Sequence, residues 1–151
     1  MPSIAVHTRF GRLVVTEEGG EITRLCWDGP VDGDPTPLLQ EAADQLCSYD
    51  ARQLARFDLP LAIRGSDLQR AVMRAMLDIP FGETRTYGDI ARALRVPAQA
   101  VGQACSANPI PIIIPCHRVM GARGLMGYSG KGGVETKVAL LRHEGAASLL
   151  I

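Results

Sequence analysis

Apolar and polar positions change period along this chain, and the changes mark its elements. Leu13–Thr16 and Ile22–Trp27 are β-rich runs around Glu18-Gly19-Gly20, the pattern of a hairpin. The stretch "DGPVDGDPTP" breaks that pattern as a loop. Thr36 and Pro37 then read as N-cap and first-turn proline of a helix with Leu38, Ala42, Leu46 and Tyr49 on one face. "FDLPLAI" follows as a short strand or extended connection. A second section opens at "GSDLQRAVMRAMLDIP", where Ser66 and Gln69 fit a capping box and Leu68, Val72, Met76 and Ile79 recur at helical spacing. The expected class is a small α/β unit over residues 1–63 and a mostly α domain over residues 64–151.

Within the second section, Thr86 caps "YGDIARAL", "RVP" makes a turn, and Pro97 begins "AQAVGQACSA". Two short helices about a tight turn form a helix-turn-helix, winged-helix-like in its setting. The second helix is made of small residues, among them Ala98, Ala100 and Gly102, which let a backbone come close to another surface. Gly102 inside a helix costs about 1 kcal/mol relative to alanine, so a close contact is expected there. That contact is a nucleic-acid groove or another helix of the protein; the pattern alone leaves both open. Gln99 and Gln103 are its main hydrogen-bonding side chains, too few for rich base readout.

Composition adds a charge asymmetry. Residues 1–63 carry five Arg, no Lys and ten Asp/Glu, net −5, whereas residues 64–151 carry eleven Lys/Arg and six Asp/Glu, net +5. A basic second part suggests a polyanionic partner for that part. No apolar run approaches the length of a membrane span, and the N-terminus has no signal-peptide pattern, so the expectation is a cytoplasmic protein without a membrane partner. The four cysteines, Cys26, Cys47, Cys105 and Cys116, lack zinc-site spacing and are expected as free thiols; Cys26, Cys47 and Cys105 read as buried structural residues. No metal or cofactor is expected.

Candidate chemistry concentrates in "NPIPIIIPCHRVMG". Pro109, Pro111 and Pro115 interrupt Ile110, Ile112, Ile113 and Ile114, so the run is expected as a stiff extended segment that ends at Cys116. A thiolate is the nucleophile, and His117 as proton acceptor, Arg118 as fixed charge and a carboxylate to orient the imidazole would favour it. Spacing alone leaves a buried structural cysteine as the alternative. Downstream, a glycine-rich piece leads into a helix with Val138, Leu140 and Leu141 as apolar positions, His143 and Glu144 in its last turn and Gly145 as its C-cap.

"NPIPIIIPCHRV", with "IPFGETRTYGDIARAL" before it and "GYSGKGGVETKVALLRHEG" after it, resembles the O6-alkylguanine-DNA alkyltransferases (methylated-DNA–protein-cysteine methyltransferases) over most of residues 64–146. The resemblance implies a DNA repair protein, acting as a monomer without cofactor. It would bind duplex DNA through the minor groove, flip out an alkylated guanine and move the alkyl group irreversibly onto Cys116. It further implies His117 as the base, linked through water to Glu144, and Asn108 as the brace of the active-site turn. Tyr87 would donate to the guanine ring. Val119 would read the exocyclic amine through its carbonyl, with Tyr128, Ser129 and Lys137 around the pocket. Thr86, Tyr87, Ala98, Gln99, Ala100, Gly102 and Arg118 would meet DNA.

Two departures stand out. The family usually carries an arginine where this chain has Gln99, and "SGKGGVE" is about two residues longer than the common form. The alternative function is a lesion-binding relative without efficient transfer; a sensor-type regulator and a cysteine hydrolase rank lower.

Overall fold

The computed structural model describes residues 1–121 and 133–146. The chain divides into two compact units, Met1–Ala62 and Ile63–Ile151.

In the first unit, β2 (Gly11–Glu18) and β3 (Glu21–Trp27) form the expected hairpin. Gly19 and Gly20 both take positive φ, 62° and 83°, the conformation that lets a two-residue turn follow the strand twist. The strand β1 (Ser3–Thr8), not expected from the sequence, pairs antiparallel with β2 and completes a β1-β2-β3 meander. Three of its six residues, Ile4, Val6 and Thr8, are β-branched, and pairing with β2 completes it.

Helix α1 (Pro37–Asp50) begins where Thr36 accepts from the Leu39 amide at 3.1 Å, while its hydroxyl donates to Glu17 at 2.5 Å. Its buried face is Leu39, Ala42, Ala43, Leu46 and Tyr49; Leu38 is only half-buried, one position off the core-facing stripe. "FDLPLAI" contributes a single bridge, Leu61 to Ile22.

In the second unit, α2 (Asp67–Leu77) starts with both halves of the Ser66/Gln69 capping box and buries Val72, Met73 and Met76. The short strand β4 (Arg85–Thr86) leads into α3 (Tyr87–Leu94), itself capped by a reciprocal Thr86/Asp89 box with both hydrogen bonds at 2.9 Å. A turn through Arg95, whose backbone is left-handed, leads to α4 (Ala98–Ser106). β4 pairs in parallel with β5 (Val119–Met120), Arg85 opposite Val119 and Thr86 opposite Met120. That pairing brings the N-terminus of α3 beside the segment that follows Cys116.

The last described helix, α5 (Val134–His143), stops at Gly145, φ 69°. The Gly145 amide bonds to Arg142 O at 3.0 Å and the Ala146 amide to Leu141 O at 3.0 Å, so the helix ends in a Schellman motif that sets Glu144 at its C-cap. Among the described residues, no helix is long and apolar enough to cross a membrane.

Candidate active site

The isoleucine run is not extended. Ile112 adopts φ 72°, a left-handed backbone that is a genuine outlier for a β-branched residue. The chain folds over it: the Ile113 amide bonds to Pro111 O and the Ile114 amide to Ile110 O, each at 2.9 Å. All four isoleucines are buried, so core packing offsets a strain of about 1–3 kcal/mol. Positive φ leaves no trace in composition, which is why the sequence reads as a rod where the structure has a knot.

Asn108 holds this turn from inside. Its Nδ2 donates to Ile114 O at 2.9 Å, and its Oδ1 accepts from the Ile110 amide at 3.0 Å. Ile114 O also accepts from the Cys116 amide at 2.8 Å. The turn delivers Cys116, His117 and Arg118 on a single 3-10 turn, all three buried.

His117 Nε2 lies 2.7 Å from Glu144 Oε2, a direct contact where the resemblance implied an intervening water. Burial raises the Glu144 carboxyl, but hydrogen bonds and charges from His117 and Arg118 outweigh it and hold the group at about 2. An ionised carboxylate only accepts, so Nε2 carries the ring proton. Burial moves His117 below its ordinary value, against the pull of Glu144, and Arg118 and Lys137 add to the lowering. The imidazole is therefore neutral near pH 7. Its Nδ1 is buried, has no hydrogen-bond partner among the described residues, and is left with its lone pair.

Arg118, expected at the DNA surface, is buried instead. Its Nε donates to Glu144 Oε1 at 2.8 Å, Nη2 to Oε2 at 3.0 Å and Nη1 to Ile79 O at 2.7 Å. Lying on the same 3-10 turn as Cys116, it is carried inward with it.

Lys137 is fully buried in α5, and its Nζ donates to Val119 O at 2.6 Å. Burial lowers its pKa, while the Cys116 and Cys105 thiols work the other way. A carbonyl has two lone pairs, so Val119 O can still accept a second donor. Tyr87, half-buried at the start of α3, is raised by burial and by the charges of Cys105 and Cys116, which keeps its phenol protonated near that sulfur. Cys105 is buried, its Sγ 3.6 Å from Met76 Sδ, and burial pushes its thiol up to about 12. It is a poor rival nucleophile. The four cysteines are thiols rather than disulfides; Cys105 is buried as expected, but Cys26 is only half-buried and Cys47 is exposed.

On α4 the inward residues are Val101, Ala104 and Cys105. Ala98, Gln99, Gln103 and Ser106 are exposed, and Ala100 is half-buried. A Cβ built on Gly102 meets nothing within 4 Å. α4 packs inward through Val101, Ala104 and Cys105, but no other helix among the described residues makes a close contact at Gly102. Thr86 serves as the α3 cap. Tyr128, Ser129 and the longer glycine-rich segment, apart from its last residues, lie outside the described residues.

Residues 67–146 match the family model of the 6-O-methylguanine DNA methyltransferase, DNA binding domain. A methylated-DNA–protein-cysteine methyltransferase of Mycobacterium tuberculosis is 53% identical over 136 residues, covering 87% of this chain and 78% of that one. The constitutive enzyme of that name in Bacillus subtilis is 41% identical over 152 residues, covering 91% and 92%. The crystal structure of Mycobacterium tuberculosis OGT in complex with DNA superposes with a TM-score of 0.85 at 41% identity, covering 97% of this chain and 94% of that one.

Proposed function

The chain belongs to the methylated-DNA–protein-cysteine methyltransferase family, and from that premise we propose how its own residues carry out DNA repair by alkyl transfer. The acceptor is Cys116. Its proton passes to His117 Nδ1, the lone-pair nitrogen that the Glu144 contact leaves available. The sulfur electron pair forms a bond to the alkyl carbon, and the carbon–O6 bond breaks with its electrons moving into the guanine. Tyr87, kept protonated, donates toward the guanine ring as that charge develops. Val119 O, with Lys137 behind it, accepts from the exocyclic amine. The thioether has no good leaving group, so each molecule reacts once.

A base within a duplex is out of reach of a buried sulfur, so the alkylated guanine must leave the stack. The open, small-residue face of α4 fits a minor groove: Ala98, Ala100 and Gly102 permit close approach, and Gln99 enters the gap left by the flipped base. Thr86 and Tyr87 meet the backbone beside it. Such binding tolerates any sequence, which a repair protein needs. The second unit carries this work and the first supports it. The protein acts as a cytoplasmic monomer, nucleoid-associated when bound to DNA.

The observation that carries this reading is the buried Cys116-His117-Glu144 arrangement with one ring nitrogen in reserve. Incubation with methylated duplex DNA, followed by peptide mass spectrometry, tests it. The Cys116 peptide gains one methylene, once per molecule. Binding without that gain would return the protein to the lesion-recognition class, and labelling of another cysteine would overturn the assignment.

A further inference from the structure

We propose that Arg118 is a positioning residue for the transfer reaction, fixing Glu144 and through it the His117 base. This rests on the reading of Cys116 as acceptor given above. Glu144 sits at the C-cap of α5, where the last carbonyls make an unfavourable end for an anion. It is also buried, and a buried carboxylate is costly unless paired. Arg118 supplies the pairing as a fork, Nε on Oε1 at 2.8 Å and Nη2 on Oε2 at 3.0 Å.

The fork is itself anchored. Nη1 donates to Ile79 O at 2.7 Å, just beyond α2, and the guanidinium carbon lies 5.8 Å from the centre of the Phe81 ring. Glu144 Oε2 is therefore shared: Arg118 orients it from one side, and His117 Nε2 meets it at 2.7 Å from the other. The oxygen that chooses the imidazole tautomer is placed by the arginine. Without the fork the carboxylate would no longer be held in one orientation, and Nε2 would lose its fixed acceptor.

Charge works in the same direction. Arg118 and Lys137 disfavour the imidazolium, Glu144 favours it, and the Cys116 and Cys105 thiols face Lys137. Removing Arg118 leaves Glu144 as the dominant neighbour of His117, so the ring holds its proton to higher pH. Lysine would keep a charge but not the two-pronged geometry.

Single-turnover transfer from O6-methylguanine duplex is measured across pH for wild type, Arg118→Lys, Arg118→Met and Arg118→Met with Glu144→Gln, each at a temperature where it is folded. Wild-type transfer tests the parent reading on its own. For Arg118→Met the rate at neutral pH falls about tenfold to a hundredfold, a part of what a general base contributes, and the acid limb of the profile moves to higher pH. Arg118→Lys keeps the limb near its wild-type position but reacts more slowly. The double variant regains thermal stability, because no unpaired buried charge remains, yet does not regain rate. DNA affinity is unchanged throughout. A wild-type pH profile in Arg118→Met, a double variant that recovers rate with stability, or a loss of DNA affinity that accounts for the slower transfer would each overturn the proposal.

Discussion

Asn108 and Ile114 are joined by a 2.9 Å hydrogen bond from side-chain amide to backbone carbonyl, and the same carbonyl receives the Cys116 amide at 2.8 Å. Cys116, the proposed acceptor, is thus tied to a buried side chain well upstream of it. Asn108→Ala takes the acceptor from the Ile110 amide and one of two donors from Ile114 O, which keeps the Cys116 amide. The stranded amide sets the cost, so the loss in chemical denaturation should be about 1–3 kcal/mol, with slower transfer in the folded fraction. An unchanged midpoint would mean that the brace is dispensable.

The left-handed backbone at Ile112 predicts an inverted order of substitutions. At an ordinary position, glycine is less stable than alanine. At φ 72° alanine carries the steric penalty and glycine does not, so Ile112→Gly should unfold later than Ile112→Ala by about 1 kcal/mol. Both are less stable than wild type, because each empties a buried isoleucine site. The usual order at Ile112 would contradict the turn geometry.

Gly102 separates stability from binding. With open space around its missing Cβ, Gly102→Ala should raise the free protein's stability by about 0.5–1 kcal/mol. The added methyl group stands on the face proposed to enter the groove, so duplex affinity should fall at the same time. Melting curves and a DNA titration on one preparation check both signs.

Stability should depend on acid in two stages. His117 is shifted down from 6.5 by burial, so the unfolded chain takes up that proton first, and this contribution is full above about 6.5 and lost as pH falls through it. Glu144 is held at about 2, against 4.5 ordinarily, because the hydrogen bonds and charges of His117 and Arg118 outweigh its burial. Its contribution is present above about 4.5 and lost as pH falls toward about 2. Denaturation followed by pH should show the lower stage flattened in Glu144→Gln.

Gln99 occupies an exposed place on α4 without the cation or stacking plane of arginine. Gln99→Arg should therefore speed repair of duplex substrate more than reaction with free alkylguanine. Equal gains on both substrates would remove Gln99 from the base-stack role. Rising salt should weaken duplex binding steeply in either protein, as phosphate-dominated contact requires.

Local chemistry was readable where a residue acts on its own neighbours. Ser66 with Gln69, Thr86 and Gly145 all announce helix ends in sequence, and each end is built as its residues dictate. The hairpin around Gly19-Gly20 follows from the same short-range logic. β1 was not readable, because three β-branched residues in a six-residue run are a weak local signal that pairing with β2 completes. Leu38 gave way to Leu39 because the sheet, not the helix, decides which stripe is covered.

Sequence by itself determined the helix boundaries, the small-residue surface of α4 and the run of Cys116, His117 and Arg118, because each depends on residues within a turn or two of one another. Tertiary structure decided which way those side chains point. It drew Arg118 inward to a carboxylate printed 26 positions away in the chain, closed His117 onto the same group, and bent the isoleucines around a left-handed Ile112. Long-range charge pairing and core burial set these choices, and neither leaves a local signature in the order of the residues.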